Sequence, residues 1–145
     1  MSSKRMSDET LTEKLARHHG ALQFDRISTK VIEAAKSHIL DSLGCLLAGS
    51  RLEPGRLAYN LAGATSVADS TSTLFGTARR VSYVDAVQAM SVAAHCGEMD
   101  DIHGAAGTCI GAMIIPALIA TAEKLPVSRS YDCRLRNYRA RGAQY

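Results

Sequence analysis

Thr29-Lys30-Val31-Ile32-Glu33-Ala34-Ala35-Lys36-Ser37-His38-Ile39-Leu40-Asp41-Ser42-Leu43-Gly44-Cys45-Leu46-Leu47-Ala48-Gly49 is the stretch that decides the fold. Val31, Ile32, Ala35, Ile39, Leu40, Leu43, Leu46 and Leu47 return at spacings of three and four, with Lys30, Glu33, Lys36 and Ser37 between them. That period belongs to an amphipathic α-helix over Thr29–Ala48, with Gly49 as its natural C-terminal stop. Asp41 sits inside it beside Leu40 and Leu43, where an unpaired carboxylate is expensive to bury, so it needs a partner or an exposed position.

Working outward, the first ten residues are polar and expected to fray, and Leu11, Leu15 and Leu22 mark a shorter helix. Downstream, Glu53-Pro54 opens a helix where proline costs least, with Leu57, Leu61 and Ala64 as its apolar face and a polar loop over Thr65–Thr73. Ser72–Gly76 reads as briefly extended. Ser82-Tyr83-Val84-Asp85 has the form of a capping box and predicts a helix from Tyr83 to about Met99. Ala86, Val87, Met90, Ala93 and Ala94 give that helix a small-residue face that lets a neighbour come close, and His95 is expected at its buried end. After a Gly104–Gly107 turn, Cys109–Leu125 is apolar nearly all round with Pro116 inside, which predicts a kink or restart and a place in the middle of something larger.

Composition agrees with helices. Aromatic residues make up only 5% of the 145 residues, with no Trp, while 46% are hydrophobic, so Ala, Leu, Ile and Val carry the apolar weight. Such a chain suits close-packed helices better than a β-sandwich, and the expected class is all-α, a partial helical bundle. The net charge of +3 is unevenly placed: Ser128–Tyr145 holds Arg129, Arg134, Arg136, Arg139 and Arg141 against Asp132 alone. Tyr131 and Tyr138 among those arginines would suit base stacking, but the rest of the chain is near neutral, so no nucleic-acid partner is expected. Cys45, Cys96, Cys109 and Cys133 lie far apart without disulfide-framework or metal-ligand spacing. No signal-peptide run and no apolar run of about 18 residues is present, so no membrane partner is expected either. A cytoplasmic protein with reduced thiols follows as the expectation.

The chemistry-bearing stretch is His95-Cys96-Gly97-Glu98-Met99-Asp100-Asp101-Ile102-His103. If the helix ran through it, Glu98 and Asp101 would be i, i+3 neighbours, an acid pair beside histidines suited to acid–base work. The bland alternative is a solvated helix exit. Asp100, Asp101 and His103 could also offer metal ligands, but no HExxH or paired CxxC spacing accompanies them and no metal is expected.

Three segments together, Leu40–Ser50, Thr73–Ser82 and Ala93–His103, resemble the MmgE/PrpD family in residues, order and spacing. The family includes 2-methylcitrate dehydratase, cis-aconitate decarboxylase and iminodisuccinate epimerase. The resemblance implies the N-terminal part of a large helical domain that is followed by a smaller α/β lid, and a homodimer in the full-length family. It also implies cofactor-free chemistry on a small polycarboxylate, in which a proton is removed next to a carboxylate and dehydration, decarboxylation or epimerisation follows. On the family's H-x-x-D/E-x-D-D motif the catalytic acid falls on Glu98, with Asp101 closing the motif and His103 beside it; His95, Asp100 and Cys109 fall in substrate-binding positions. The sequence departs from the family at Met90-Ser91, where an Asn-Gly pair is common, and at Cys109-Ile110, where a His-Pro pair is common. A thiol is a poor substitute for an imidazole acid. From about Val127 the apolar periodicity collapses, so residues 1–126 are expected to be a partial helical domain and 127–145 an unrelated, disordered arginine-rich tail of the kind a frameshift or truncated reading frame produces. Such a fragment is expected to be inactive alone. The contrasting class is a non-catalytic helical interaction module that docks through Cys109–Leu125.

Overall fold

The computed structural model describes residues 9–63 and 71–124. Ala64, most of the polar loop and the arginine-rich tail lie outside them. The chain divides into two compact units, residues 32–127 and the residues on either side.

In the outer unit the expected first helix is present as α1, Leu11–Ala21. Thr10 caps it: its hydroxyl accepts from the Glu13 N–H, and the Glu13 carboxylate accepts from the Thr10 N–H at 2.9 Å, a reciprocal capping box. Those bonds from Thr10 hold the Glu13 carboxyl below the usual carboxylate range. Arg17 pairs with Glu9.

The decisive stretch forms α2, Thr29–Gly49, running one residue beyond the expected Ala48 because Gly49 is its last turn and not a left-handed stop. Its buried line is Ser42, Cys45, Leu46 and Gly49, spaced i, i+3, i+4, i+7. Asp41 is exposed, as its charge requires, and so are Ile39 and Leu40. α3, Glu53–Leu61, starts with Pro54 in its first turn. The expected face is corrected here: Leu57 and Leu61 are 53% and 71% exposed, while Gly55, Tyr59 and Ala62 are buried. Closeness of backbones, not side-chain size, chose that face. A Cβ on Gly55 would lie 2.0 Å from the Gly49 carbonyl oxygen, and one on Gly49 would lie 1.8 Å from that of Ala93. α2, α3 and α4 therefore meet where two residues lack side chains.

The brief extension is real. β1, Ser72–Thr73, pairs antiparallel with β2, Arg80–Val81, around a turn that needs glycine at Gly76, φ +81. From this turn the Arg79 guanidinium donates to the carbonyls of Tyr59 and Ala62 at 2.8 Å, satisfying the C-terminal end of α3, and the Tyr59 hydroxyl donates to the Phe75 carbonyl at 3.0 Å. Burial pushes the Tyr59 phenol up to about 12.

α4, Tyr83–His95, begins where the sequence places it, with the Ser82 hydroxyl accepting from the Asp85 N–H at 3.1 Å. It packs on α3 on one side and on α5, Ile110–Lys124, on the other. Seven of the twelve core members are alanines, which is why α4 can be covered from both sides. α5 continues through the buried Pro116 and hides Gly111, Ala112 and Ala120, while Met113, Ile114 and Leu118 on its other face are exposed. Ser72 and Tyr83 tie it to the sheet and to α4 through Ala120 and Thr121. The fold is mostly α with one tiny hairpin. No helix among the described residues is long and apolar enough to cross a membrane.

Candidate active site

α4 stops at His95, four residues before the expected Met99, and the acidic stretch is a turn rather than a helix. The cause is local: Glu98 takes φ +48, the left-handed region, right after Gly97, and its N–H closes back on the His95 carbonyl at 2.9 Å. Helical i, i+3 pairing of Glu98 with Asp101 therefore does not form. His95 is also not buried; its side chain is 57% exposed, while Ala93 and Ala94 just before it are sealed.

The turn sorts the candidate residues into two groups. His95, Asp100 and Cys109 converge: their ligating atoms all lie within 4.8 Å of one another. The His95 Nδ1 sits 3.1 Å from both oxygens of Asp100, whose side chain is only 2% exposed. Partial burial, then the charge of Asp100 and its hydrogen bond, push the Cys109 thiol up, with the charges of Asp101 and Glu98 adding to the effect. Beside this corner a groove of about 830 Å³ opens, lined by Ser91, His95 and Cys96 from the end of α4 and by Thr108, Cys109 and Met113 from the start of α5. Its size suits a small-molecule ligand.

Asp101 turns elsewhere. Its Oδ1 accepts from the Gly111 N–H at 2.8 Å at the N-terminus of α5, and its Oδ2 lies 3.6 Å from His38 Nδ1 on α2. A Cβ on Gly111 would sit 2.3 Å from both Asp101 Oδ1 and Ser42 Oγ, so glycine there lets the carboxylate and the hydroxyl close over the helix end. The Ser42 hydroxyl is buried without a hydrogen-bond partner among the described residues. His103 closes the Gly104–Gly107 turn: its N–H donates to Thr108 at 2.8 Å and its Nδ1 accepts from the Ala106 N–H. Glu98 is exposed.

Chemically, the corner holds an imidazole oriented by a buried carboxylate. With Nδ1 engaged, Nε2 has no partner among the described residues and is the ring nitrogen left to exchange a proton. Sequence reading missed His38 and Ser42. Their signal was position: both lie one turn or less from Asp41 on α2, on the side that faces the acids. Cys45, buried next to Ser42, has its thiol raised by burial first and then by the charges of Asp41, Asp100 and Asp101.

A family model, the MmgE/PrpD N-terminal domain, matches residues 13–138 of the chain, reaching into the arginine-rich stretch. No curated protein and no solved structure matches it.

Proposed function

Because this chain belongs to the MmgE/PrpD family through its N-terminal domain, we propose that it supplies the helical wall of a cofactor-free lyase or isomerase acting on small polycarboxylates. The reaction is proton removal next to a carboxylate, followed by dehydration, decarboxylation or epimerisation. The observation that carries this reading is the His95–Asp100 pair at the groove, with Nδ1 held and Nε2 free. Asp100 fixes the tautomer and steadies the imidazolium that forms when His95 takes a proton. Glu98, exposed in the turn that follows α4, keeps the acid role given by the family motif. Asp101 and His103 serve that reaction as positioning residues, Asp101 on the first turn of α5 and His103 in the turn that carries Cys109.

None of the described residues lining the groove is Lys or Arg. Charge neutralisation of a dicarboxylate or tricarboxylate therefore falls to groups outside it, and the chain alone is expected to bind weakly and to complete no dehydration, decarboxylation or epimerisation, leaving slow proton exchange as the step to measure. Incubation with 2-methylcitrate, cis-aconitate and iminodisuccinate, with proton exchange at the carbon next to a carboxylate followed by NMR in D2O, tests this. Exchange that disappears in His95→Gln supports the reading; exchange that survives in it removes His95 from the chemistry.

A second reading has its own observation. The outer face of α5, with Met113 at 65%, Ile114 at 47% and Leu118 at 45% exposed, fits a helical interaction module. An Ile114→Glu, Leu118→Glu variant that abolishes self-association or hydrophobic-dye binding, together with a Glu98→Gln, Asp101→Asn double mutant whose stability and ligand response are unchanged, favours that module.

A further inference from the structure

We propose that Ser42 is a positioning residue for the corner at the end of α4: its hydroxyl donates to Asp101, and Asp101, held between α2 and α5, keeps its neighbour Asp100 on His95. The inference rests on the reading of His95 as the proton-handling group. It adds a residue from α2 that is not among those lining the groove.

The first observation is a buried hydroxyl with no local use. Ser42 is 1% exposed, and its Oγ has no hydrogen-bond partner among the described residues. A serine inside a helix escapes that state by donating to the carbonyl one turn back, as Ser37 does to Glu33 at 3.1 Å. Ser42 does not. A buried hydroxyl that stays unpaired is costly, and alanine would fill the same place without that cost.

The second observation is where that hydroxyl points. A Cβ on Gly111 would lie 2.3 Å from both Ser42 Oγ and Asp101 Oδ1, so the two oxygens border one gap that exists because residue 111 has no side chain. Oδ1 accepts from the Gly111 N–H at 2.8 Å, and a carboxylate oxygen has a further lone pair for a second donor. A turn of the Ser42 side chain, or a slight tilt of the carboxylate, brings the hydroxyl onto it. The other Asp101 oxygen has His38 3.6 Å away, but that imidazole is 62% exposed, and so open a pair fixes little. Cys45, one turn beyond Ser42, has its thiol raised by burial and then by the charges of Asp41, Asp100 and Asp101, so this line of α2 faces the acidic turn. Asp100 and Asp101 are consecutive. Holding Asp101 toward α2 and α5 therefore leaves Asp100 facing His95, whose Nδ1 lies 3.1 Å from both its oxygens.

NMR of the full chain, labelled with carbon-13 at the aspartate carboxyls and nitrogen-15 in the histidine rings, tests this first without ligand. Ser42→Ala should shift the Asp101 carboxyl resonance and move the His95 ring nitrogens toward the values they take in Asp100→Asn, whereas Ser37→Ala should move neither. In an Asp101→Ala background, Ser42→Ala should add no change at His95. With citrate added, the concentration that half-saturates the His95 response should rise at least about threefold in Ser42→Ala, as the loss of one hydrogen bond predicts. Where the alanine variant fails a circular-dichroism check of folding, Ser42→Cys, which keeps the volume with a weaker donor, should give the same directions. Unmoved His95 nitrogens in a folded Ser42 variant, or an equal movement in the Asp101→Ala background, would overturn the role of Ser42. A wild-type chain whose His95 ignores citrate would instead remove the polycarboxylate reading, and the ligand-free comparison would still decide Ser42.

Discussion

Two regions that meet at the end of α4 work in opposite ways. At the crossing of α2, α3 and α4, Gly49 and Gly55 matter through the side chains they lack, and the backbone carbonyls of Ala93 and Gly49 fill the space where a Cβ would be. Two residues beyond Ala93, the corner built from His95, Asp100 and Cys109 matters entirely through its side chains. The first region has no tolerance for added volume; the second opens on a groove, with the His95 imidazole exposed and the Asp100 carboxylate buried behind it. A rigid crossing next to an open corner is how a small helical unit holds a polar constellation in place.

The largest expected effect breaks the crossing. Gly49→Ala puts a methyl 1.8 Å from the Ala93 carbonyl oxygen, and backbone cannot step aside as a flexible side chain can. The cost should be about 3 kcal/mol, the upper end for overpacking, read as a fall in the thermal or urea midpoint; a loss under about 1 kcal/mol would show that the helices do not cross here.

Gly111→Ala should cost less, about 2 kcal/mol. The atoms it meets, Asp101 Oδ1 and Ser42 Oγ, belong to side chains that can turn away at the price of the Gly111–Asp101 hydrogen bond. The effect should shrink when Asp101→Ala is made as well, since the contact with Oδ1 and the bond disappear together and only the contact with Ser42 Oγ remains. Equal losses in both backgrounds would place the strain elsewhere.

Tyr59 gives a smaller effect with a pH signature. Its phenol donates to Phe75 and its pKa is pushed from 10 up to about 12 by burial, so the fold favours the neutral form. That contribution is whole below pH 10 and is lost as pH climbs from 10 to about 12. Tyr59→Phe should cost about 1 kcal/mol at pH 7 and remove this alkaline step from the stability curve. His95→Gln, at an exposed position, should leave stability within about 0.5 kcal/mol while removing the corner's chemistry.

The same contrast explains what was legible in the sequence. α2, the proline-started α3, the extension before Gly76 and the Ser82 cap of α4 were all readable, because each rests on local hydrogen bonding or on the 3.6 period. The face of α3 was not. Hydrophobic size points to Leu57 and Leu61, but burial follows Gly55, Tyr59 and Ala62, since only partners distant in the chain reveal where backbones touch. The end of α4 was not readable either, because nothing about a glutamate announces a positive φ. In the site, the cluster was visible as a cluster. Its internal pairing was not: helical spacing joins Glu98 to Asp101, whereas the turn joins Asp100 to His95 and carries Asp101 to α5.

The central claim is that His95, held by Asp100 at the groove, is the proton-handling group of this corner, and that His103 is a fastening of the turn. Histidine ring NMR during titration with citrate at pH 6, with unchanged circular dichroism showing the chain folded, tests it most directly. The His95 ring resonances should move with ligand, losing that response in Asp100→Asn, while those of His103 stay in place. No movement at His95, or movement at His103 alone, would contradict the account.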